Sequence, residues 1–338
     1  MSFLSRWKTA LKTAEGKFFV FLISGFLVFS LFVLAGAFLI DPHEDFGTGL
    51  VEPLVLTNRS EKLEMITSLD EKPEILIFGS SRTFTMDPAQ IFELTGKRAF
   101  NASVSYGRSE DHDAIIHYLA EQQIAHPETL IIGFSAGAFN NDPIETQLLN
   151  NKYLKQYLAE PPTPLRKRAP RTLKDKLNAQ YIADMFRAVF FHASGFPTDR
   201  VSFLPNGMQD TQDSPYDEAK IDDNYYRALA LFENVSEPQW ERLEAFRSLA
   251  RYSIDNNFQV KVVLLPMPSI TRARLIEDTD LIAIEERLIT FFTDEMPDNI
   301  SFYNFSEVQS FGGSEEGFND PTHPNIANTR LITEAIFY

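Results

Sequence analysis

The most informative part of the sequence is the stretch Pro73–Arg82, which reads PEILIFGSSR. A short apolar run that breaks at glycine and serine is typical of a buried β-strand that ends in a tight turn. Such a turn would leave the hydroxyl of Ser81 exposed at the end of the strand. An ordinary strand-to-helix turn, in which the serine only caps the helix, has the same pattern. The stretch therefore predicts a strand and offers a candidate nucleophile.

A second motif lies near the C-terminus, at Asp320–His323 (DPTH). An aspartate and a histidine three residues apart on one loop can form a hydrogen bond without help from another element. A histidine held in this way can accept the proton of a serine hydroxyl, which is a weak nucleophile unless a base activates it. Taken alone, the motif also fits a turn before a helix, with His323 capping the helix or solvated.

Between and around the two motifs, predicted strands alternate with predicted helices. This alternation predicts a doubly wound, flavodoxin-like α/β/α sandwich around a parallel sheet. Ligands of such sheets bind beyond the carboxyl ends of the strands, where both motifs would fall. A stretch from about residue 143 to 235 breaks the alternation and is interpreted as a helical insertion. The predicted strands are 74–78, 98–101, 129–134, 260–265 and 300–304, and the predicted helices are 60–69 in the stalk, 109–123, 172–191, 237–256, 278–294 and 324–337.

The N-terminal part contains an apolar segment, Phe18–Ile40, which is long enough to cross the hydrocarbon core of a bilayer. Basic residues precede the segment and acidic residues follow it, so the positive-inside rule places the N-terminus in the cytoplasm. Two alternatives stay open: a signal peptide cleaved near Ala35–Ala37, and a buried helix of a soluble protein, which would be a cytoplasmic lipase. The flanking charges are Arg6, Lys8, Lys12 and Lys17 on one side and Asp41, Glu44, Asp45 and Glu52 on the other.

These observations predict the organisation of the chain. We expect a cytoplasmic N-terminus (1–17), a transmembrane anchor (18–40), a stalk (41–72) and an α/β domain (73–338). The anchor would lie in the inner, cytoplasmic membrane in contact with its lipid, and the main domain would be periplasmic.

Composition excludes several classes of function. The 338 residues carry a net charge of −16, which argues against binding of nucleic acid or of an anionic membrane surface through the whole protein. The sequence has no cysteine, so disulfides, thiolate metal sites and cysteine nucleophiles are excluded. Six scattered histidines show no spacing typical of a metal site. We therefore expect neither a metal nor a cofactor.

Together, the two motifs resemble the SGNH (GDSL-like) hydrolase superfamily, over roughly residues 73–142 and 258–338. The sequence is most similar to the membrane-anchored branch with Gly-Ser-Ser in the first block. The D-alanyl-transfer protein of lipoteichoic acid synthesis and proteins that modify exopolysaccharide with O-acyl groups belong to this branch. The resemblance implies that Ser81 is the catalytic nucleophile, His323 the base and Asp320 the acid that orients it.

The resemblance also implies an oxyanion hole made by the backbone N–H groups of Ser81 and Gly107 and by an asparagine side chain. The asparagines of this sequence, Asn140 and Asn141, follow the third predicted strand several residues later than the family pattern requires. The third donor is therefore Asn140 or Asn141 on a loop that turns back, Ser135 in their place, or missing.

The implied activity is that of a serine esterase or O-acyltransferase acting on acyl esters of envelope or secreted polysaccharide. A membrane-bound O-acyltransferase is the implied partner. The alternative is a catalytically inactive SGNH-like subunit of a membrane complex, which the late asparagines and the insertion favour.

Two basic features have both a functional and a structural interpretation. Arg82 would bind a substrate phosphate or carboxylate, or it would pair with Asp87, Asp111 or Asp113. The basic run Arg166–Arg171 would contact lipid headgroups or an anionic glycan, or it would be a solvated loop.

Overall fold

The computed structural model describes residues 13–43, 46, 48–51, 53–54, 58–142, 144–158, 179–194, 201–213, 216–232 and 235–338. The chain forms two compact units. One comprises Met1–Val55 and Ala169–Asp199, and the other Leu56–Arg168 and Arg200–Tyr338. The predicted insertion is therefore divided between the two units.

Five parallel strands form one sheet in the order β2-β1-β3-β4-β5. This is the flavodoxin-like order, in which the direction of winding switches between β1 and β3. The predicted parallel α/β fold is thus confirmed. The strands are β1 (Ile75–Gly79), β2 (Ala99–Asn101), β3 (Thr129–Phe134), β4 (Gln259–Leu264) and β5 (Ile300–Asn304).

Helices cover both faces of the sheet. Alternate residues of β1 point to opposite faces: Leu76 and Phe78 belong to the larger apolar core, and Ile75 and Ile77 to the smaller one. Numbered in chain order, the α-helices are α1 (Ala14–Ile40), α2 (Arg59–Thr67), α3 (Pro88–Thr95), α4 (Ser109–Glu121), α5 (Thr146–Leu149), α6 (Ala179–Ser194), α7 (Glu218–Asp223), α8 (Tyr225–Leu229), α9 (Trp240–Asp255), α10 (Ser269–Asp278), α11 (Leu281–Asp294) and α12 (Ile326–Phe337).

Helix α3 was missing from the sequence-based prediction, although its termini carry clear signals. The side chain of Asp87 accepts a hydrogen bond from Ala89 N, Pro88 occupies the first turn, and Gly96 adopts the left-handed conformation after the last. Its eight residues are too few to show a convincing helical period in sequence.

Helix α2, which the sequence placed in the stalk, belongs to the sheet-containing unit and is joined to α4 by a buried ion pair. The Nε of Arg59 lies 2.6 Å from Oδ1 of Asp111, and the side chains are only 2% and 1% exposed. The other carboxylate oxygen of Asp111 accepts a hydrogen bond from Arg108 N at the start of α4. One carboxylate therefore joins α2 to the first turn of α4.

We expect Asp111→Asn to lower the free energy of unfolding by about 3 kcal/mol, because it removes the carboxylate charge from a buried ion pair and keeps the buried guanidinium charge of Arg59. Urea unfolding followed by circular dichroism measures the change. The control is Glu128→Gln, which breaks the exposed pair of Glu128 and Lys97 and should cost less than about 1 kcal/mol. Equal effects of the two substitutions would contradict the prediction.

In the other unit, α1 is one helix of 27 residues, with a mean hydropathy of 2.7 over its most apolar window. It begins after Thr13, whose side chain accepts a hydrogen bond from Gly16 N, and ends at Asp41 in the left-handed conformation. Its length and composition suffice to span a membrane. A signal sequence near an N-terminus meets the same criterion.

Candidate active site

Ser81 lies at the carboxyl end of β1, in the first position of a short 3-10 turn, Ser81–Thr83. Two hydrogen bonds from Thr83 close this turn onto Ser80, one from its backbone N–H at 3.0 Å and one from its hydroxyl at 2.8 Å, both to the carbonyl oxygen of Ser80. The turn holds Ser81 just beyond the strand, at the point where the sheet order switches.

Two glycines make this turn possible. Gly79 of β1 pairs with Gly133 of β3 across the sheet. A methyl group at either glycine would overlap the side chain of Thr83. The two adjacent strands therefore need glycine at this level so that Thr83 can pack there and close the turn.

His323 and Asp320 lie on the loop that precedes α12. The ends of the loop are joined by an antiparallel bridge between Phe318 and Pro324. Within the loop, Oδ1 of Asp320 accepts hydrogen bonds from the backbone N–H groups of Thr322 at 2.8 Å and His323 at 2.9 Å. These local bonds fix the carboxylate beside the imidazole.

The three residues Ser81, His323 and Asp320 form one hydrogen-bonded chain. Oγ of Ser81 lies 2.7 Å from Nε2 of His323, and Nδ1 of His323 lies 2.7 Å from Oδ2 of Asp320. The carboxylate stabilises the tautomer with the proton on Nδ1, so Nε2 is left to accept the serine proton. In this geometry Ser81 can act as a nucleophile, His323 as a base and Asp320 as the acid that orients it.

Asp320 is held in its charged form. Burial by itself raises the pKa of this carboxyl, but hydrogen bonds and charge from His323 and hydrogen bonds from Thr322 outweigh it. The pKa of Asp320 therefore lies well below its usual range, because the charged form receives these hydrogen bonds. The carboxylate can orient His323 and stabilise its protonated form at any ordinary pH.

A cavity of about 790 Å³ opens at the serine. Ser81 and His323 lie in its wall, together with residues from four separate parts of the chain. Its size is in the range of pockets that enclose small ligands. The residues that shape it include Phe84, Ser105, Tyr106, Ser135, Tyr226, Arg227 and Leu231.

The predicted oxyanion donors are only partly brought together. Among the described residues, the backbone N–H of Ser81 donates no hydrogen bond to another backbone group, so this donor is available. The N–H of Gly107 already donates to the carbonyl oxygen of Val104 at 2.9 Å. A methyl group on Gly107 would overlap the carbonyl oxygen of Gly79. The expectation that Gly107 is a free donor is therefore corrected: its backbone packs closely against the end of β1.

The expectation for Asn140 and Asn141 is corrected as well, because neither lines the cavity. The side-chain nitrogen of Asn140 donates to Asp142 at 2.6 Å, and its oxygen accepts from Arg242 at 3.0 Å. These partners hold Asn140 in a buried polar network. By contrast, Ser135 does line the cavity. It stands two residues after Gly133, as Ser81 stands two residues after Gly79, so the two serines follow paired positions of neighbouring strands.

Arg82 is turned into the protein, with 4% of its surface exposed. Its guanidinium donates to the carbonyl oxygen of Pro266. Burial lowers its pKa to about 10, and the charges of Asp320 and Glu285 partly oppose the shift. Arg82 is nevertheless one of the residues that line the cavity at Ser81, so its contact with substrate stays a prediction. Its electrostatic partners are Asp320 and Glu285, and not the three aspartates considered from sequence.

Sequence reasoning missed part of the cavity wall. Tyr226 and Arg227 of α8 come from the predicted insertion, and both side chains are exposed. Nothing in the local sequence marks them, because their position depends on how α8 packs against the domain. The short polar stretch before α8 reads as a loop.

Comparisons with known proteins give only distant likenesses. No protein-family model and no curated protein matches the chain. Among solved structures, a chain provisionally described as a platelet activating factor from Streptococcus pneumonia is 11% identical at a TM-score of 0.38, covering 83% of this chain and 91% of that one. A chain provisionally described as an acylhydrolase from Bacteroides fragilis is 13% identical at a TM-score of 0.34, and the match covers 82% of this chain and 93% of that one. A GDSL-like lipase from Bacteroides thetaiotaomicron is 12% identical at a TM-score of 0.35, and the match covers 82% of this chain and 95% of that one. At these values we draw no conclusion from the three likenesses.

Proposed function

We propose that the protein is a serine esterase or O-acyltransferase. The observation that carries the proposal is the chain of two 2.7 Å contacts from Ser81 through His323 to Asp320, at the wall of an open cavity. In the reaction, Oγ of Ser81 attacks the ester carbonyl and its proton passes to Nε2 of His323. The tetrahedral intermediate then collapses, the alcohol leaves with that proton, and an acyl group remains on Ser81. Water or a sugar hydroxyl, deprotonated by His323, takes the acyl group and restores the serine.

The intermediate carries a negative charge on the former carbonyl oxygen, and donors already in place stabilise it. The free N–H of Ser81 supplies one donor. We assign the second to the hydroxyl of Ser135, because it lines the same cavity at the level of Ser81 on the neighbouring strand. This assignment replaces the asparagine side chain that the resemblance implied.

We expect Ser135→Ala to reduce kcat about 100-fold and to change KM little, because an oxyanion donor acts in the transition state. Steady-state hydrolysis of p-nitrophenyl acetate by the full chain in detergent measures both constants. The matched control is Ser105→Ala, which removes another buried hydroxyl from the cavity wall and should change kcat by a few-fold at most. A Ser135→Ala enzyme with unchanged kcat would remove Ser135 from the oxyanion hole.

The substrate is proposed to be an acyl ester of an envelope or secreted polysaccharide. The rings of Tyr106 and Tyr226 are exposed at the cavity, and such flat rings with one polar tip suit contact with a sugar. The anchor would lie in the inner membrane with the N-terminus in the cytoplasm, and this domain would face the periplasm. A membrane-bound O-acyltransferase would supply the acyl groups.

Labelling with a fluorophosphonate probe tests the proposal. The full chain in detergent should be labelled covalently, and peptide mass spectrometry should place the label on Ser81. Loss of labelling after heat denaturation shows that the folded site is required. Folded protein that resists the probe and hydrolyses no aryl ester would contradict an esterase and leave the inactive accessory subunit as the better account.

A further inference from the structure

Helix α6, from the predicted insertion, packs against the C-terminal half of α1. Tyr181 and Met185 of α6 form a small apolar core with Ala37 of α1. The contact is close, since a methyl group at Gly36 would lie 2.7 Å from Cε of Met185. The small side chains of Gly36 and Ala37 therefore allow α6 to pack closely against α1.

A polar cluster marks one end of this contact. Oδ2 of Asp184 lies 3.1 Å from Nε2 of His43, just beyond the end of α1. Its other carboxylate oxygen accepts from Gln180 at 2.9 Å and lies 3.3 Å from Arg187. Charged and amide groups of this kind need water or partners, and they are costly within hydrocarbon. The cluster therefore marks the level at which the apolar part of α1 ends.

From this cluster, α6 runs back along α1. The ring of Tyr181 contacts His43, with centroids 5.1 Å apart, whereas Met185, one turn later, contacts Gly36. Val33 and Ala188, about one turn further on each helix, are both buried. The later turns of α6 thus lie beside the apolar residues of α1.

The outer face of α6 carries an exposed apolar stripe. Phe186, Val189 and Phe190 are 68%, 40% and 61% exposed, and their spacing places them on one side of the helix. Exposed apolar residues also cover α1 at this level, among them Phe32 and Phe38. The apolar surface of α1 therefore continues onto α6.

We propose that the stripe of Phe186, Val189 and Phe190 lies in the lipid bilayer and that α6 is a second membrane contact beside the anchor. The inference rests on the proposed anchoring of α1, since α6 lies at the depth of the residues it touches. Phe190 is six residues beyond Asp184, so it lies about 9 Å from the polar cluster at 1.5 Å per residue. Helices at membrane interfaces bury their apolar face to about 5–10 Å.

Lipid fits the stripe better than a protein partner does. The stripe is continuous with the apolar surface of α1, and α1 would itself be surrounded by lipid. In the sequence, seven residues separate the basic run Arg166–Arg171, which lies outside the described residues, from the start of α6. Basic residues in the same stretch of sequence as an amphipathic helix are typical of segments that bind anionic headgroups. The second contact would keep the later turns of α6 in the bilayer beside the C-terminal half of the anchor.

Spin labels can test the depth of α6 in the full chain, because the sequence has no cysteine and a single introduced one is labelled uniquely. The test variants are Phe190→Cys and Phe186→Cys, both at exposed positions where a label does not disturb packing. Val28→Cys in the middle of α1 gives the lipid reference, and Phe92→Cys at an exposed position of α3 gives the water reference. The labelled proteins are reconstituted in vesicles of phosphatidylcholine with some phosphatidylglycerol. Electron paramagnetic resonance then measures collisions with oxygen and with a water-soluble nickel chelate.

We expect the ratio of oxygen to nickel accessibility at Phe190 and Phe186 to be severalfold above that at Phe92 and to approach that at Val28. Labels on α6 that collide with nickel as freely as the one at Phe92, while Val28 stays in lipid, would overturn the proposal and leave the anchor intact. Labels shielded from both reagents would also overturn it, since protein would then cover the stripe. A water-accessible label at Val28 would reject the anchor itself.

Discussion

Ser81→Ala is expected to abolish fluorophosphonate labelling and to lower kcat for ester hydrolysis by about 10⁴-fold or more, because the nucleophile and the covalent intermediate are lost together. The hydroxyl of Ser81 is the one that lies 2.7 Å from the base. Its removal takes no hydrogen bond away from the core, so the fold should be unchanged. In-gel fluorescence of the probe and steady-state kinetics measure the two losses.

Ser80→Ala is the matched control, because it removes a hydroxyl from the adjacent residue of the same turn. Within the described part of the chain, Oγ of Ser80 accepts a single long hydrogen bond, of 3.4 Å from Arg82 N. We expect labelling and kcat to stay within a few-fold of the wild type. Labelling that survives Ser81→Ala would show that Ser81 is not the nucleophile. Labelling that disappears in both variants would show that the loss is not specific to the hydroxyl of Ser81.

Asp320→Asn should lower kcat by about 10⁴-fold, the size of effect measured for the corresponding change in a well-studied serine protease. An asparagine amide that donates to Nδ1 of His323 would stabilise the tautomer with its proton on Nε2, which can no longer accept the serine proton. The carboxylate oxygen that must be replaced lies 2.7 Å from Nδ1. Steady-state kinetics give the loss of kcat.

Thr322→Val serves as the control for this substitution. It removes the hydroxyl that lies 3.0 Å from Oδ1 of Asp320 and keeps the backbone N–H that donates to the same atom. We expect a loss of about 10- to 100-fold, on the order of one hydrogen bond to a charged group. A larger loss in Thr322→Val than in Asp320→Asn would show that the loop geometry, and not the carboxylate, supports His323.

The depressed pKa of Asp320 also predicts how stability changes with pH. A carboxyl whose folded pKa lies below its unfolded value of about 4 stabilises the protein above that value. This contribution is lost as the pH falls through the lower pKa of the folded state. We therefore expect the difference in unfolding free energy between the wild type and Asp320→Asn to shrink as the pH is lowered below about 4. Urea unfolding at several acidic pH values measures it, and a constant difference would contradict the shift.

The sheet was largely predictable from the sequence. Strands β3 and β5 have the predicted bounds, and β1 is displaced by one residue. Parallel strands buried on both faces need continuous apolar runs, and such runs are visible in sequence. Short helices such as α3 and α10 were not found, because eight to ten residues give too few apolar repeats to establish a period.

The sequence by itself determined the strand-helix alternation, the apolar helix α1, and the candidate pairing of His323 with Asp320, because each depends on residues that are close together along the chain. Only the tertiary structure decided which donors face Ser81. Asn140 turns away because Arg242, about one hundred residues later, holds its side chain. Ser135 faces the cavity because β3 pairs with β1 in a particular register. The direction of a side chain depends on its partners in space. Partners that are distant along the chain cannot be inferred from a local sequence pattern.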